Sequence, residues 1–185
     1  MGFTMLELLV VISIFLVITG VVVADIPSFR NKSSLDLIAS EVATYVRGAQ
    51  IYGATQRGDS VANSNISYGI HFGMDTPSNF FLYKNNANGV PEENYNIDGF
   101  KIDTITVLNS FGIPINTNSV NIVFQANDYT SSIGTQLEPE IYLDESNSPT
   151  PFAQVDIQIR PDRDLTLCKA VRVYGNGQIT PAACD

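Results

Sequence analysis

Residues 1–15 read MGFTMLELLVVISIF, and they open an apolar run in which Glu7 is the only charged residue before Asp25. The run from Phe3 to Ala24 has 22 residues. As an α-helix it would span roughly 33 Å, close to the hydrocarbon thickness of a bilayer at about 30 Å. Nothing later in the chain approaches this length or hydrophobicity, so we predict one transmembrane helix over residues 3–25.

Glu7 is the unusual residue of this run. A charge at the centre of a membrane helix costs about 2.5–3.5 kcal/mol, so a carboxylate there is usually paired or functional. The alternative is a tolerated interfacial residue, because Glu7 lies only four positions after Phe3 and is within reach of the lipid headgroups.

The order Gly2, Phe3, Thr4, two apolar residues and Glu7 resembles the processing site of type IV prepilins and type II secretion pseudopilins. The resemblance implies that a prepilin peptidase cuts between Gly2 and Phe3 and methylates the new amine of Phe3. In that family the glutamate neutralises the N-terminal amine of a neighbouring subunit. An amine and a carboxylate attract strongly where the dielectric constant is low.

Two other interpretations of the N-terminus remain open. A cleaved secretory signal would end at the small residues 22–24, although such a signal has a basic start and an apolar core of about 7–15 residues. A plain membrane anchor explains the length of the run but leaves Gly2 and Glu7 without a role.

The remaining residues predict an α+β fold. Apolar residues recur at helical spacing from Leu35 to Tyr52, so an amphipathic helix should start near Ser33, after a bend or break at Pro27, and end between Gly53 and Gly58. Turn-forming residues then separate seven predicted strands, at 66–72, 80–84, 102–108, 120–125, 140–143, 155–160 and 169–174.

The resemblance implies a type IV pilin-like fold, with one long N-terminal helix packed on an antiparallel β-sheet head. The predicted organisation is a leader remnant at 1–2, the membrane helix at 3–25, its amphipathic continuation at 26–58 and an extracytoplasmic head at 59–185. The stretches LIASEVATYVRGAQIYGATQRG, YGIHF and VRVYGNGQI look most like the minor pseudopilin H and FimT-like subgroup.

Catalytic, cofactor and metal sites are not predicted. His71 is the only histidine and has no Ser, Cys or carboxylate constellation near it in the sequence, so we expect a partly exposed strand residue. The acidic pairs Asp144–Glu145 and Asp98–Asp103 lack the spacing of a calcium loop. The chain is therefore interpreted as a structural protein and not an enzyme.

Composition also weighs against a nucleic-acid partner, since the chain of 185 residues has a net charge of −9. The alternative function is a DNA- or surface-binding minor pilin of a competence pilus, because FimT-like pilins bind DNA through basic C-terminal surfaces. Four basic residues lie within a short segment here, with acidic residues between them: Arg160, Arg163, Lys169 and Arg172.

The two cysteines, Cys168 and Cys184, flank a predicted hairpin. Residues 171–180 suggest two strands around a three-residue loop at 175–177. In that register Tyr174 faces Gln178, and Cys168 then faces Cys184. A two-residue turn at Asn176–Gly177 would shift the register by one and misalign the thiols, and two free buried thiols are the other alternative. We predict a disulfide, which persists outside the cytoplasm.

The resemblance also implies partners and a location. The protein would lie in the cytoplasmic (inner) membrane with a single pass and its head outside the cytoplasm, then enter a cell-surface or periplasmic filament. Its partners would be the prepilin peptidase, sister pilins or pseudopilins, the inner-membrane assembly platform and membrane lipid.

Prepilin leaders normally carry Lys or Arg before the glycine, whereas only Met1 and Gly2 precede Phe3 here. Basic residues favour the cytoplasmic side of a membrane helix. We therefore expect either a longer native leader that contains Lys or Arg, or inefficient cleavage of this form. Mapping the translation start and quantifying cleavage tests this expectation, and efficient cleavage from a confirmed leader of Met1 and Gly2 alone would contradict it.

Overall fold

The computed structural model describes residues 4–55, 67–84, 91–125, 139–143 and 148–184, with the backbone alone at 24–29. The chain forms two compact units, Met1–Ser34 and Leu35–Asp185, here called the N-terminal unit and the β-rich unit. The elements are α1 (Met5–Thr55), β1 (Ser67–Gly73), β2 (Asn79–Lys84), β3 (Glu93–Asn96), β4 (Phe100–Asn109), β5 (Pro114–Thr117), β6 (Ser119–Gln125), β7 (Glu140–Leu143), β8 (Phe152–Pro161), β9 (Lys169–Tyr174) and β10 (Ile179–Ala183).

Helix α1 is assigned without interruption from Met5 to Thr55. A break at Pro27 and a separate helix start near Ser33 are therefore wrong, whereas the alternative, a bend at Pro27, stays a prediction. The last described helical residue, Thr55, lies within the interval 53–58 that was predicted for the end of the helix. Proline removes one backbone hydrogen bond, and the helical segments on both sides of Pro27 are long enough to continue the helix through that loss.

The N-terminal unit contains the apolar part of α1. Residues Met5–Val23 have a mean hydropathy of 2.8, and none of this segment is buried within the chain. It is long and apolar enough to span a membrane or to serve as a signal sequence. Such an exposed apolar surface requires lipid or other helices around it.

The β-rich unit contains two five-stranded sheets, in which every neighbouring pair of strands is antiparallel. Sheet 1 has the order β3-β2-β1-β6-β7, and sheet 2 has the order β10-β9-β8-β4-β5. All seven predicted strands are present, apart from Ile66, which lies outside the described residues. The prediction of one sheet missed the division into two, and it missed β3 and β5.

One apolar core joins the helix to both sheets. From the helix, Leu35, Ala39, Val42, Val46 and Ala49 are almost fully buried, at helical spacing. The predicted alternation in β1 and β8 is confirmed, because the core includes Tyr68, Ile70 and Phe72 from sheet 1 and Val155, Ile157 and Ile159 from sheet 2. The architecture is thus α+β, with an amphipathic helical segment on antiparallel sheets.

The helix approaches sheet 1 most closely at Gly53. A Cβ atom at this position would lie 2.5 Å from the carbonyl oxygen of Phe124 on β6, which is closer than real Cβ contacts allow. The preceding residue, Tyr52, packs its ring against that of Tyr68 on the same sheet, with the ring centroids 5.6 Å apart. Glycine at position 53 therefore permits the backbone of the helix to reach the strand.

Two glycines of the same helix provide a matched test of this contact. We predict that Gly53→Ala lowers the free energy of unfolding by about 1–3 kcal/mol, because the added methyl group meets backbone that cannot move away cheaply. Gly48→Ala should raise it by about 0.5–1 kcal/mol, because no atom lies within 4 Å of that added Cβ and alanine favours the helix. Denaturant unfolding of the full chain in detergent micelles measures both, and equal effects of the two substitutions would contradict the close approach.

Candidate processing and assembly site

Thr4 and Glu7 cap the beginning of α1 reciprocally. The backbone N–H and the hydroxyl of Thr4 both donate to Oε2 of Glu7, at 3.1 and 3.0 Å, and the backbone N–H of Glu7 donates to Oγ1 of Thr4 at 3.3 Å. This is a capping box, in which a Thr and a Glu three positions later satisfy N–H groups that a helix leaves without intrahelical partners. It also holds a carboxylate at the positive end of the helix dipole.

The capping box was missed in the sequence, although its signal, Thr-x-x-Glu before an apolar run, was present. Gly2 and Phe3, the predicted cleavage residues, lie outside the described residues. The structure therefore describes Glu7, the predicted assembly residue, and its helical partner Thr4. The cleavage site and the assembly role of Glu7 stay predictions.

Hydroxyl groups farther along the apolar segment are bonded within the helix. Ser13 Oγ donates to the carbonyl oxygen of Leu9, and Thr19 Oγ1 donates to that of Phe15, both at 2.8 Å. Such bonds to the preceding turn satisfy the hydroxyl groups where water is absent. The segment Met5–Val23 is therefore suited to an apolar surrounding except at Glu7.

The C-terminal hairpin, β9 and β10, has the predicted register. Val173 is paired with Ile179, and Lys169 with Ala183. The turn is closed by the N–H of Tyr174, which donates to the carbonyl oxygen of Gln178, and Gly177 has a φ of 82°, a value that glycine adopts without strain. Cys168 and Cys184 are the next pair in this register, and they form a disulfide with their Cα atoms 5.8 Å apart.

The same hairpin holds the helix by polar contacts. Arg47 donates from Nη2 to the carbonyl oxygen of Ile179 at 2.7 Å, and Gln50 donates from Nε2 to that of Gly177 at 3.1 Å. At the other end of the hairpin, Nζ of Lys169 lies 2.8 Å from Oδ1 of Asp36. Asp36 lies inside helix α1 and pairs with the hairpin.

Most of the predicted basic cluster is engaged by carboxylates. The closest nitrogen–oxygen distance is 2.8 Å in each of three pairs: Arg160–Asp103, Lys169–Asp36 and Arg172–Asp156. The fourth member, Arg163, is exposed. A carboxylate beside a cation weakens its attraction for phosphate, so this surface is poorly suited to DNA.

Among the described residues, Asp156 is the buried carboxylate, with 7% of its surface exposed. Arg172 on the neighbouring strand donates from Nε and Nη2 to its two oxygens, both at 2.8 Å, and Gln154 donates to it as well. This network lies on the face of β8 opposite the apolar core residues Val155 and Ile157. It satisfies a charge that would be costly to bury alone.

Of the residues considered for chemistry, His71 and Asp103 make contacts that the structure describes. His71 is half-buried on β1, with Nδ1 2.7 Å from Oδ1 of Asn121. In the described ranges, no cluster of three or more His, Cys, Asp or Glu residues gathers as a metal site would require. Asp103 is paired with Arg160, whereas Asp144 and Glu145 lie outside the described residues.

Comparison with models of known protein families, with curated proteins and with solved structures gives no match.

The disulfide yields a prediction for stability. Replacing both Cys168 and Cys184 by Ser should lower the free energy of unfolding. The bridge joins residues with a sequence separation of 16, and restricting a loop of that size in the unfolded chain contributes about 3 kcal/mol. Denaturant unfolding measures the change, and the reduced wild-type protein should match the double variant. The intact mass without reductant should be lower by two hydrogen atoms than after reduction, so two thiols open to alkylation in protein from an oxidising compartment would contradict the bridge.

Proposed function

We propose that this chain is a structural subunit, a pilin or pseudopilin, of a type IV pilus or a type II secretion pseudopilus. The observation that carries the proposal is the N-terminal pattern of Gly2, Phe3, Thr4 and Glu7, followed at once by an apolar helix. The helix supports it further, because the segment Met5–Val23 is wholly exposed in a single chain and needs neighbours.

The proposed subunit has two successive environments for its N-terminal helix. It first lies in the inner membrane with a single pass and its head outside the cytoplasm, where prepilin peptidase cuts after Gly2 and methylates Phe3. The assembly platform then transfers the subunit into a periplasmic or cell-surface filament, where sister subunits replace lipid around the helix. The proposed role is structural. Within the family, the chain is proposed to be most similar to the minor pseudopilin H and FimT-like subgroup.

Glu7 has a specific role in this proposal. The amine of one processed subunit meets the Glu7 carboxylate of its neighbour, and each group neutralises the other in a low-dielectric surrounding. The bonds from Thr4 support this role, because they hold the carboxylate in one orientation at the first turn of the helix. A fixed carboxylate loses less conformational entropy when an amine arrives.

The alternative, a DNA-binding minor pilin, has weaker support. Three of the four basic residues considered for it are paired with carboxylates. A mobility-shift measurement at low salt would reveal any DNA binding, since a phosphate-binding surface is strongest there.

Three substitutions separate the charge of Glu7 from its capping role. Glu7→Gln should retain most of the helix cap, because glutamine also serves at this position of a capping box, but it removes the charge. Thr4→Ala removes the cap and retains the charge, and Glu7→Ala removes both. We predict that membrane insertion survives in all three, and that both Glu7 variants lose incorporation into filaments whereas Thr4→Ala loses much less.

Shear fractionation or cross-linking of filaments from cells measures incorporation, and carbonate extraction measures membrane insertion. Comparable incorporation of Glu7→Gln and wild type would limit Glu7 to a capping role. Wild-type incorporation of Glu7→Ala would make it a tolerated interfacial residue.

A further inference from the structure

The hairpin between β4 and β5 exposes apolar side chains at its tip. Phe111 has 89% of its surface exposed, and Ile113 and Ile115 on the following segment are 58% and 38% exposed. Ile113 and Ile115 are two residues apart in an extended segment, so they point to the same side. We define residues 109–115 as the Phe111 tip.

Four backbone N–H groups of the Phe111 tip are hydrogen-bonded within the tip. Oδ1 of Asn109 accepts hydrogen bonds from the N–H groups of both Phe111 and Ile113, each at 2.9 Å. The N–H of Gly112 donates to the carbonyl oxygen of Asn109, and the N–H of Asn109 donates to that of Ile113. Gly112 has a φ of 76°, which lets the chain turn back without strain, and Pro114 has no N–H to satisfy.

The surrounding sequence is also without charge. Residues 104–127 contain no Asp, Glu, Lys, Arg or His, in a chain where 16% of the residues are charged. The Phe111 tip can therefore leave water without removing an ion from its hydration shell, which is the most costly part of entering an apolar medium.

The shape and size of the tip favour a bilayer over a folded protein as its partner. A buried aromatic side chain contributes about 150–250 Å² of contact area, so three partly exposed side chains offer a few hundred Å². A standard protein interface needs about 800 Å² from each partner. A bilayer needs no complementary surface, favours a loop whose backbone N–H groups are already bonded, and accepts aromatic residues at its interface.

We propose that the Phe111 tip inserts shallowly into an electrically neutral lipid bilayer, at the boundary between headgroups and acyl chains. The hydrophobic effect, and not electrostatic attraction to the lipid, drives the insertion, because the tip has no basic residues and the chain has a net charge of −9. Insertion should therefore be insensitive to ionic strength in zwitterionic lipid, and anionic lipid should weaken it.

The chain has no tryptophan, so Phe111→Trp places a single fluorescent reporter, the tip reporter, at the hairpin. Leu165→Trp supplies a matched control reporter, because Leu165 is 55% exposed and lies between β8 and β9, outside the tip. Each full-length variant is held in phosphatidylcholine nanodiscs through its N-terminal helix. The quencher, phosphatidylcholine brominated on its acyl chains, is supplied either in the same nanodisc or in added vesicles.

We expect the tip reporter to shift its emission to shorter wavelength, to be quenched by brominated lipid in at least one arrangement, and to be protected from acrylamide. The control reporter should remain open to acrylamide and unquenched by the lipid. Phe111→Ser should reduce association with added vesicles by about ten- to a hundredfold, the equivalent of removing one buried Phe, wherever vesicle association is detected. Leu165→Ser should not change that association, and circular dichroism checks that all variants fold alike.

Three results would overturn the proposal. The first is a tip reporter that brominated lipid leaves unquenched in both arrangements. The second is equal lipid quenching of the tip and control reporters, which would mean that the tip has no preference for the bilayer. The third is a blue shift of the tip reporter's emission that increases with the density of protein in the bilayer and occurs without quenching by brominated lipid. This result would identify a protein as the partner.

Discussion

The packing of helix residues 35–53 against both sheets is the contact on which the β-rich unit depends. Apolar side chains of the helix, sheet 1 and sheet 2 form one buried cluster, so the helix contributes to closing the core of each sheet. Burying one Leu, Ile, Val or Phe side chain contributes about 1.5–3 kcal/mol. Small residues make this contact close, above all Gly53, where the helix backbone meets the carbonyl group of Phe124.

The polar contacts between the helix and the C-terminal hairpin have a different role. An exposed ion pair such as Asp36–Lys169 contributes at most about 1 kcal/mol, and a typical hydrogen bond such as that from Arg47 contributes about 0.5–1.5 kcal/mol. Apolar burial therefore dominates the stability, whereas the polar contacts fix the position of the hairpin along the helix. The disulfide ties together the end of the hairpin that is far from its turn.

Sequence patterns predicted the elements that bury an apolar face. Val155, Ile157 and Ile159 alternate clearly, and their strand is present with those residues buried. Strand β3 was missed because Tyr95 is its only apolar residue, and β5 because it is a short edge strand that begins with Pro114. The hairpin register could be predicted because the cysteines and the glycine loop impose the same pairing.

Other features depend on contacts that no local pattern encodes. The division of the ten described strands into two sheets follows from which strands meet in space. In each sheet one neighbouring pair comes from distant parts of the chain, β1 with β6 in sheet 1 and β4 with β8 in sheet 2. Ser33 and Asp36 have the spacing of a helix cap pair, but both lie inside helix α1, and Asp36 pairs with Lys169, which is remote in the sequence. The Thr4–Glu7 capping box could have been predicted, because both residues and their spacing match its pattern.

The central claim is that this chain is a processed filament subunit, and its mature N-terminus tests that claim most directly. Mass spectrometry of the N-terminal peptide of the protein from its native membrane should find a chain that begins at Phe3 with a methylated amine. A chain that begins after Ala24 would identify a cleaved secretory signal. A sample in which the chains retain Gly2 and none begins at Phe3 would identify a plain anchor, and either result would contradict the account.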